Sequence, residues 1–166
     1  MIFRYLFGNL VREAAQQQLQ SVAENAREAA QRNAQLRCDV LVVMALPIEA
    51  GGFVDLLSDV AVVAGEGFTE RIGQLGKSHT VGILETGPGE ARAASATQEV
   101  VATREPEWVI SAGFAGGLHD GISRGDFVMA ETVTQASTRQ QLSVGLSMDR
   151  DALAASPGVH VGRLLT

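Results

Sequence analysis

Asp39-Val40-Leu41-Val42-Val43-Met44-Ala45-Leu46, closed by Pro47, is a continuous apolar run that follows an abrupt change of composition at Cys38. It is short and β-branched, which suits a strand buried on both faces, as in a parallel sheet covered by helices. Pro47 stops the run, and Ile48 to Leu57 reads as a helix. Working outward, Val60 to Ala64 is a second strand, and Phe68 to Leu75 a third that alternates in polarity. The Gly76-Lys77 turn joins this third strand to Thr80 to Glu85 as a hairpin. Glu90 to Ala102 is an Ala-rich helix, and Trp108 to Ala112 a buried strand. Asp126 to Thr134 is a further strand, Asp151 to Ala154 a short helix, and Val159 to Leu165 starts a last strand. Strands alternating with helices predict an α/β fold: three layers around a mixed, mostly parallel sheet.

Toward the N-terminus the pattern is different. Residues 9–36 are rich in Ala, Gln, Glu and Arg and hold neither Pro nor Gly beyond the start, which predicts a helical extension over residues 1–37. The domain proper then runs over residues 38–166. Phe3, Leu6, Phe7 and Leu10 cluster at the start of the extension. The cluster is too short to span a bilayer and is read as a docking patch rather than a membrane anchor.

Composition narrows the classes of partner. The formal net charge is −6, with Lys77 the single lysine, so the chain lacks the basic surface that nucleic acid or anionic membrane requires. One cysteine, Cys38, makes neither an internal disulfide nor a cysteine-built metal site, and His79, His119 and His160 show no metal-ligand spacing. No metal and no cofactor is expected, and a reducing cytoplasm is the simplest location.

Three loops follow three of the apolar strands. Glu49 comes just after the first, Thr86-Gly87-Pro88-Gly89 after the second, and Gly113-Phe114-Ala115-Gly116-Gly117 after the third. Ligands of open α/β sheets bind beyond the carboxyl ends of the strands. If the three strands are parallel neighbours, the loops meet at one cleft. Glycines there let a ligand approach the backbone, and the helix beginning near Gly89 offers free N–H groups to an anion or an electron-rich oxygen. Neither loop is a phosphate-binding P-loop or a complete dinucleotide fingerprint. Taken singly, Glu49 is a common helix-start residue and each glycine loop a common tight turn.

Taken together and in order, the pieces resemble the nucleoside phosphorylase/nucleosidase superfamily. They are Val42-Val43-Met44-Ala45-Leu46-Pro47-Ile48-Glu49, then Thr86-Gly87-Pro88-Gly89-Glu90-Ala91-Arg92-Ala93-Ala94, then Ser111-Ala112-Gly113-Phe114-Ala115-Gly116-Gly117-Leu118, then Arg124-Gly125-Asp126-Phe127-Val128. The likeness covers residues 39–134, with a looser continuation to 166. Its nearest branch is the 5′-methylthioadenosine/S-adenosylhomocysteine nucleosidases.

The resemblance implies cleavage of an N-ribosidic bond of a purine nucleoside, in a step that belongs to methionine salvage. It casts Glu49 as the catalytic group that holds and activates the attacking water. It implies substrate contacts at Ala45, Gly87, Gly89, Phe114, Ala115, Gly116 and Gly117. It also implies a homodimer, or a complement supplied by a downstream C-terminal half. Family members that use phosphate carry an arginine on the strand before the second glycine loop. Val109-Ile110-Ser111-Ala112 has none, which favours water over phosphate.

Phe114 stands where the family often has a small residue. The family's later segments, a Met-Glu pair for the ribose and an Asp that protonates the purine, have no counterpart up to Thr166, so the chain reads as truncated and inactive alone. Neither Asp126 nor Asp151 is assigned as that acid. Two alternatives remain open: a phosphate-dependent nucleoside phosphorylase, including the hopanoid-associated type, and a non-catalytic nucleoside-binding or assembly module.

Overall fold

A strand made of Val40-Leu41-Val42-Val43-Met44 must hide both faces, and the fold supplies a helix for each. The computed structural model describes residues 18–20, 22, 37–145 and 149–166. These fall into two compact units, one ending at Phe114 and one running from Ala115 to Thr166. Of the N-terminal extension, residues 18–20 and 22 are helical and exposed; the Phe3, Leu6, Phe7 and Leu10 cluster lies outside the described residues.

In the first unit the elements are β1 (Val40–Met44), α1 (Pro47–Val54), β2 (Leu57–Ala64), β3 (Thr69–Leu75), β4 (His79–Glu85), α2 (Glu90–Arg104) and β5 (Trp108–Ser111). Five strands form one sheet in the order β2-β3-β4-β1-β5. β1 is parallel to both β4 and β5, while β2, β3 and β4 run antiparallel as a meander. The sheet is therefore mixed, and its parallel part is the part that bears the loops of interest.

Alternation along β1 sends its side chains into two cores. Leu41 and Val43 pack with Leu84, Phe68, Cys38 and the α2 residues Ala96 and Val100. Val42 and Met44 pack on the other face with Val81, Ile83 and Ala50 of α1. This is the expected helix–sheet–helix layering. Leu41, Ile83 and Leu84 are fully buried, and burial of such a side chain stabilises by about 1.5–3 kcal/mol.

One charged pair sits inside the α2-side core. Glu70 of β3 and Arg104 at the end of α2 are both buried. Arg104 Nε donates to both carboxylate oxygens at 3.0 and 3.1 Å, and Nη2 donates to Oε2 at 2.7 Å. The pair ties the meander to the helix. The Cys38 thiol is close by, and burial followed by the Glu70 charge pushes its pKa to about 11.

β5, expected as a buried strand, is exposed along its whole length because it forms an edge of this sheet, and the bounds around the first helix also differ from the sequence reading. The first helix ends at Val54 rather than Leu57, and β2 starts at Leu57 rather than Val60. Gly51 and Gly52 weaken the helix from within. β2 recovers the three residues because a bulge between Ser58 and Ala61, with Asp59 at φ 53°, lets Leu57 pair with Leu75.

The second unit holds β6 (Phe127–Thr134), β7 (Gln141–Ser143), α3 (Arg150–Ala154) and β8 (Val159–Leu165). Its three strands run in the order β7-β6-β8, with β6 parallel to β8 and antiparallel to β7. β7 is a three-residue, exposed strand that the sequence pattern does not reveal. Asp149 caps α3 by accepting from Asp151 N and Ala152 N.

Candidate active site

The strand order β4-β1-β5 puts the carboxyl ends of three parallel neighbours side by side. At the centre, β1 leads through Ala45 and Leu46 into α1, which Pro47 starts at its first position. Leu46 has no side-chain oxygen to cap the helix. Glu49, in the first turn, reaches back instead: its Oε2 accepts from Leu46 N at 2.9 Å and from Ala45 N at 3.0 Å. Its Oε1 accepts from Phe114 N at 2.9 Å, across a separation of 65 residues. Ala112 N donates to Val43 O at 2.9 Å and so brings the end of β5 alongside β1.

Three N–H donors stabilise the ionised carboxylate of Glu49 and hold its pKa below the ordinary value. The bond from Phe114 contributes most; desolvation, next in size, opposes it, and the bonds from Leu46 and Ala45 add smaller lowerings. Glu49 is partly exposed rather than buried.

The loop after β4 flanks this site. Thr86 N donates to Met44 O at 2.9 Å, which fixes the loop to the end of β1. Gly87 has φ 71° and Gly89 φ 117°, conformations that residues with a Cβ rarely adopt. Gly89 is the N-cap of α2, so the first turn of a 15-residue helix opens at the loop. The Arg92 guanidinium lies beside Gly87, with Nη1 3.6 Å from where a Cβ on that glycine would stand. On the α1 side of the sheet Glu85 is buried and pairs with Arg71 of β3.

The structure thus gathers Ala45, Glu49, Gly87, Gly89 and Phe114 at the ends of three adjacent strands of one unit. Ala115, Gly116 and Gly117 belong to the second unit, where Gly117 packs against Ile122. The side chain of Phe114 is 76% exposed, so its backbone rather than its ring makes the contact with Glu49. Residue types alone did not reveal that the backbone N–H groups of Ala45, Leu46 and Phe114 are the partners of Glu49. The only trace in the sequence is that Gly113 directly precedes Phe114.

The second unit has its own groove of about 670 Å³, lined by Leu118, His119, Ile122, Val128, His160 and Arg163 among others. Beside it Asp126 Oδ2 takes Ser123 N at 2.8 Å and His160 Nε2 at 2.9 Å. These bonds, the Ser123 one first, lower the Asp126 pKa. Asp126 thus fastens the turn before β6 to β8. Among the described residues no group of His, Cys, Asp and Glu is placed to hold a metal ion. No described helix is long and apolar enough to cross a membrane.

Comparison with known proteins gives this geometry a context. The profile of the phosphorylase superfamily matches residues 39–159. A 5′-methylthioadenosine/S-adenosylhomocysteine nucleosidase of Hydrogenovibrio crunogenus is 34% identical over 67 residues, 40% of this chain and 28% of that protein. The nucleosidase of the same name from Bacillus thuringiensis is 38% identical over 76 residues, 46% of this chain and 32% of that protein. Among solved structures, the Neisseria meningitidis nucleosidase in complex with methylthio-immucillin-A aligns with a TM-score of 0.67 at 20% identity, over 76% of this chain and 63% of that one. The Helicobacter pylori nucleosidase aligns with a TM-score of 0.67 at 14% identity, over 80% of this chain and 65% of that one. The match spans about a third of the length of the curated relatives and under two thirds of the solved chains. At these identities the structural likeness establishes the fold.

Proposed function

This chain belongs to the phosphorylase superfamily, and we propose from that premise that it serves the hydrolysis of the N-ribosidic bond of a purine nucleoside of the methylthioadenosine or S-adenosylhomocysteine type. The observation that carries the reading is the partly exposed Glu49, its carboxylate held by three backbone N–H groups beyond the ends of β1 and β5. Departure of a purine leaves positive charge on the sugar. A fixed carboxylate stabilises that charge and orients a water for attack at the anomeric carbon. Gly87 and Gly89 let the nucleoside approach the backbone, and Ala45 and Phe114 border it. The domain that does this begins at Cys38, with residues 1–37 as its extension. It acts in the cytoplasm, as a homodimer.

A second reading is phosphorolysis, favoured by one observation, the Arg92 guanidinium beside Gly87 at the start of α2. Single-turnover release of adenine from methylthioadenosine, with protein in excess and with or without phosphate, separates the two. Water as nucleophile gives release that phosphate does not accelerate. Glu49→Gln is expected to slow that release by about 10²–10⁴-fold while leaving the far-ultraviolet circular dichroism unchanged. Equal, measurable release by the wild type and Glu49→Gln would overturn the assignment.

A further inference from the structure

We propose that the Gly113–Phe114 peptide is the positioning element of the proposed site, and that position 113 must lack a side chain for Glu49 to be aimed. The inference rests on the nucleosidase reading for its purpose and on geometry for its substance. Glu49 is a first-turn residue of α1, and two of its three donors, Ala45 N and Leu46 N, come from its own strand–helix junction. Those two bonds both fall on Oε2 and leave the carboxylate free to rotate about them. The third, from Phe114 N to Oε1 at 2.9 Å, comes from the end of a different strand and fixes the plane of the carboxylate.

That approach depends on an absent atom. A Cβ built on Gly113 would lie 2.8 Å from Glu49 Oε1, 3.2 Å from its Cδ and 3.5 Å from Oε2. Contact below 3 Å cannot be held, so one partner must move. β5 holds Gly113 in place through Ala112 N, which donates to Val43 O at 2.9 Å. The carboxylate is the part that yields. Gly113 is not in the left-handed region, where its φ would itself require glycine. Its requirement is therefore steric and directed at Glu49. The same peptide is the largest influence lowering the Glu49 pKa, so loss of aim and a rise of that pKa toward its ordinary value come together.

Gly113→Ala tests this in the intact chain. The titration of the Glu49 carboxyl is followed by carbon-detected NMR and identified by its disappearance in Glu49→Gln. In Gly113→Ala the titration is expected to move up toward the ordinary glutamate range, because the Phe114 N–H no longer reaches Oε1. Phe114→Leu keeps the N–H and is expected to titrate as the wild type does. In single-turnover adenine release, Gly113→Ala is expected to lose about 100-fold, the scale of a 1 Å misplacement, with nucleoside affinity little changed. An unmoved Glu49 titration in a folded Gly113→Ala overturns the proposal, as does a Phe114→Leu titration that moves as far as that of Gly113→Ala. The NMR readout needs no turnover. A titration that moves in Gly113→Ala while adenine release stays at the wild-type rate keeps the positioning contact and removes the nucleosidase reading.

Discussion

Glu70→Gln removes the charge that Arg104 faces inside the α2-side core, and its cost can be worked from the geometry. Glu70 is 1% and Arg104 3% exposed, so neither group can turn to water without opening the packing of α2 on β3. Two N–H groups of Arg104 make three contacts to the carboxylate. Gln keeps one acceptor oxygen and replaces the other with an NH2 that faces the guanidinium, donor against donor. Removing one partner of a buried pair costs about 3–5 kcal/mol, because the remaining charge stays buried and uncompensated. For a domain whose whole stability is about 5–15 kcal/mol, that is a large share. The assay is equilibrium urea denaturation followed by circular dichroism.

Replacing both groups with Met, as Glu70→Met with Arg104→Met, should recover most of the loss, since desolvation of both charges disappears together. A second readout is the Cys38 thiol. Its pKa of about 11 owes its second-largest upward push to Glu70, so alkylation rates in Glu70→Gln should rise at lower pH than in the wild type. A loss under 1 kcal/mol in Glu70→Gln, with Cys38 titrating as before, would refute the claim that this pair is a buried structural tie.

The remaining expectations are narrower. Leu84→Ala opens a cavity between β1, β4 and α2 at a fully buried position. It should cost about 2–5 kcal/mol in the same denaturation assay, and a near-neutral result would mean that this core collapses freely. Glu49 contributes a pH dependence of defined sign. Its folded pKa is lowered, so its stabilisation is present above its unfolded pKa and is lost as pH falls through the folded value. The stability gap between wild type and Glu49→Gln should be widest near neutral pH and close below the ordinary glutamate range; a gap that widens on acidification would contradict the three-donor arrangement.

The parts of the fold that sequence could reveal are those whose signal is local. The run from Val40 to Met44 is apolar at every position because both its faces are covered, and that pattern needs no knowledge of the partners. The hairpin at Gly76-Lys77 and the helix after Gly89 are written in residues a few places apart. What escaped depends on distant residues. Arg104, in the last turn of α2, reads as a cation complementing the helix dipole, yet it is buried on a glutamate 34 residues earlier. β7 is only three residues long, all of them exposed, and forms because β6 offers it an edge, Thr132 pairing with Ser143. The extra pairs at the start of β2 exist because Asp59 takes a left-handed conformation, which its identity permits without announcing.

The candidate site shows the same division, with a physical reason for it. Glu49 and the two glycine loops stand out because their residue types are tied to chemistry and geometry. The donors that control Glu49 are main-chain N–H groups, which every residue except proline possesses, so no choice of side chain marks them. Only the steric requirement leaves a mark, as a glycine at 113 where a Cβ would meet Glu49 Oε1 at 2.8 Å. A carboxylate satisfied by main chain is hard to remove by substituting its partners and easy to disturb by adding an atom beside it. Tuning of this site by sequence therefore acts chiefly through small residues such as Gly113, and the parallel order β4-β1-β5 makes a single added methyl there felt by Glu49.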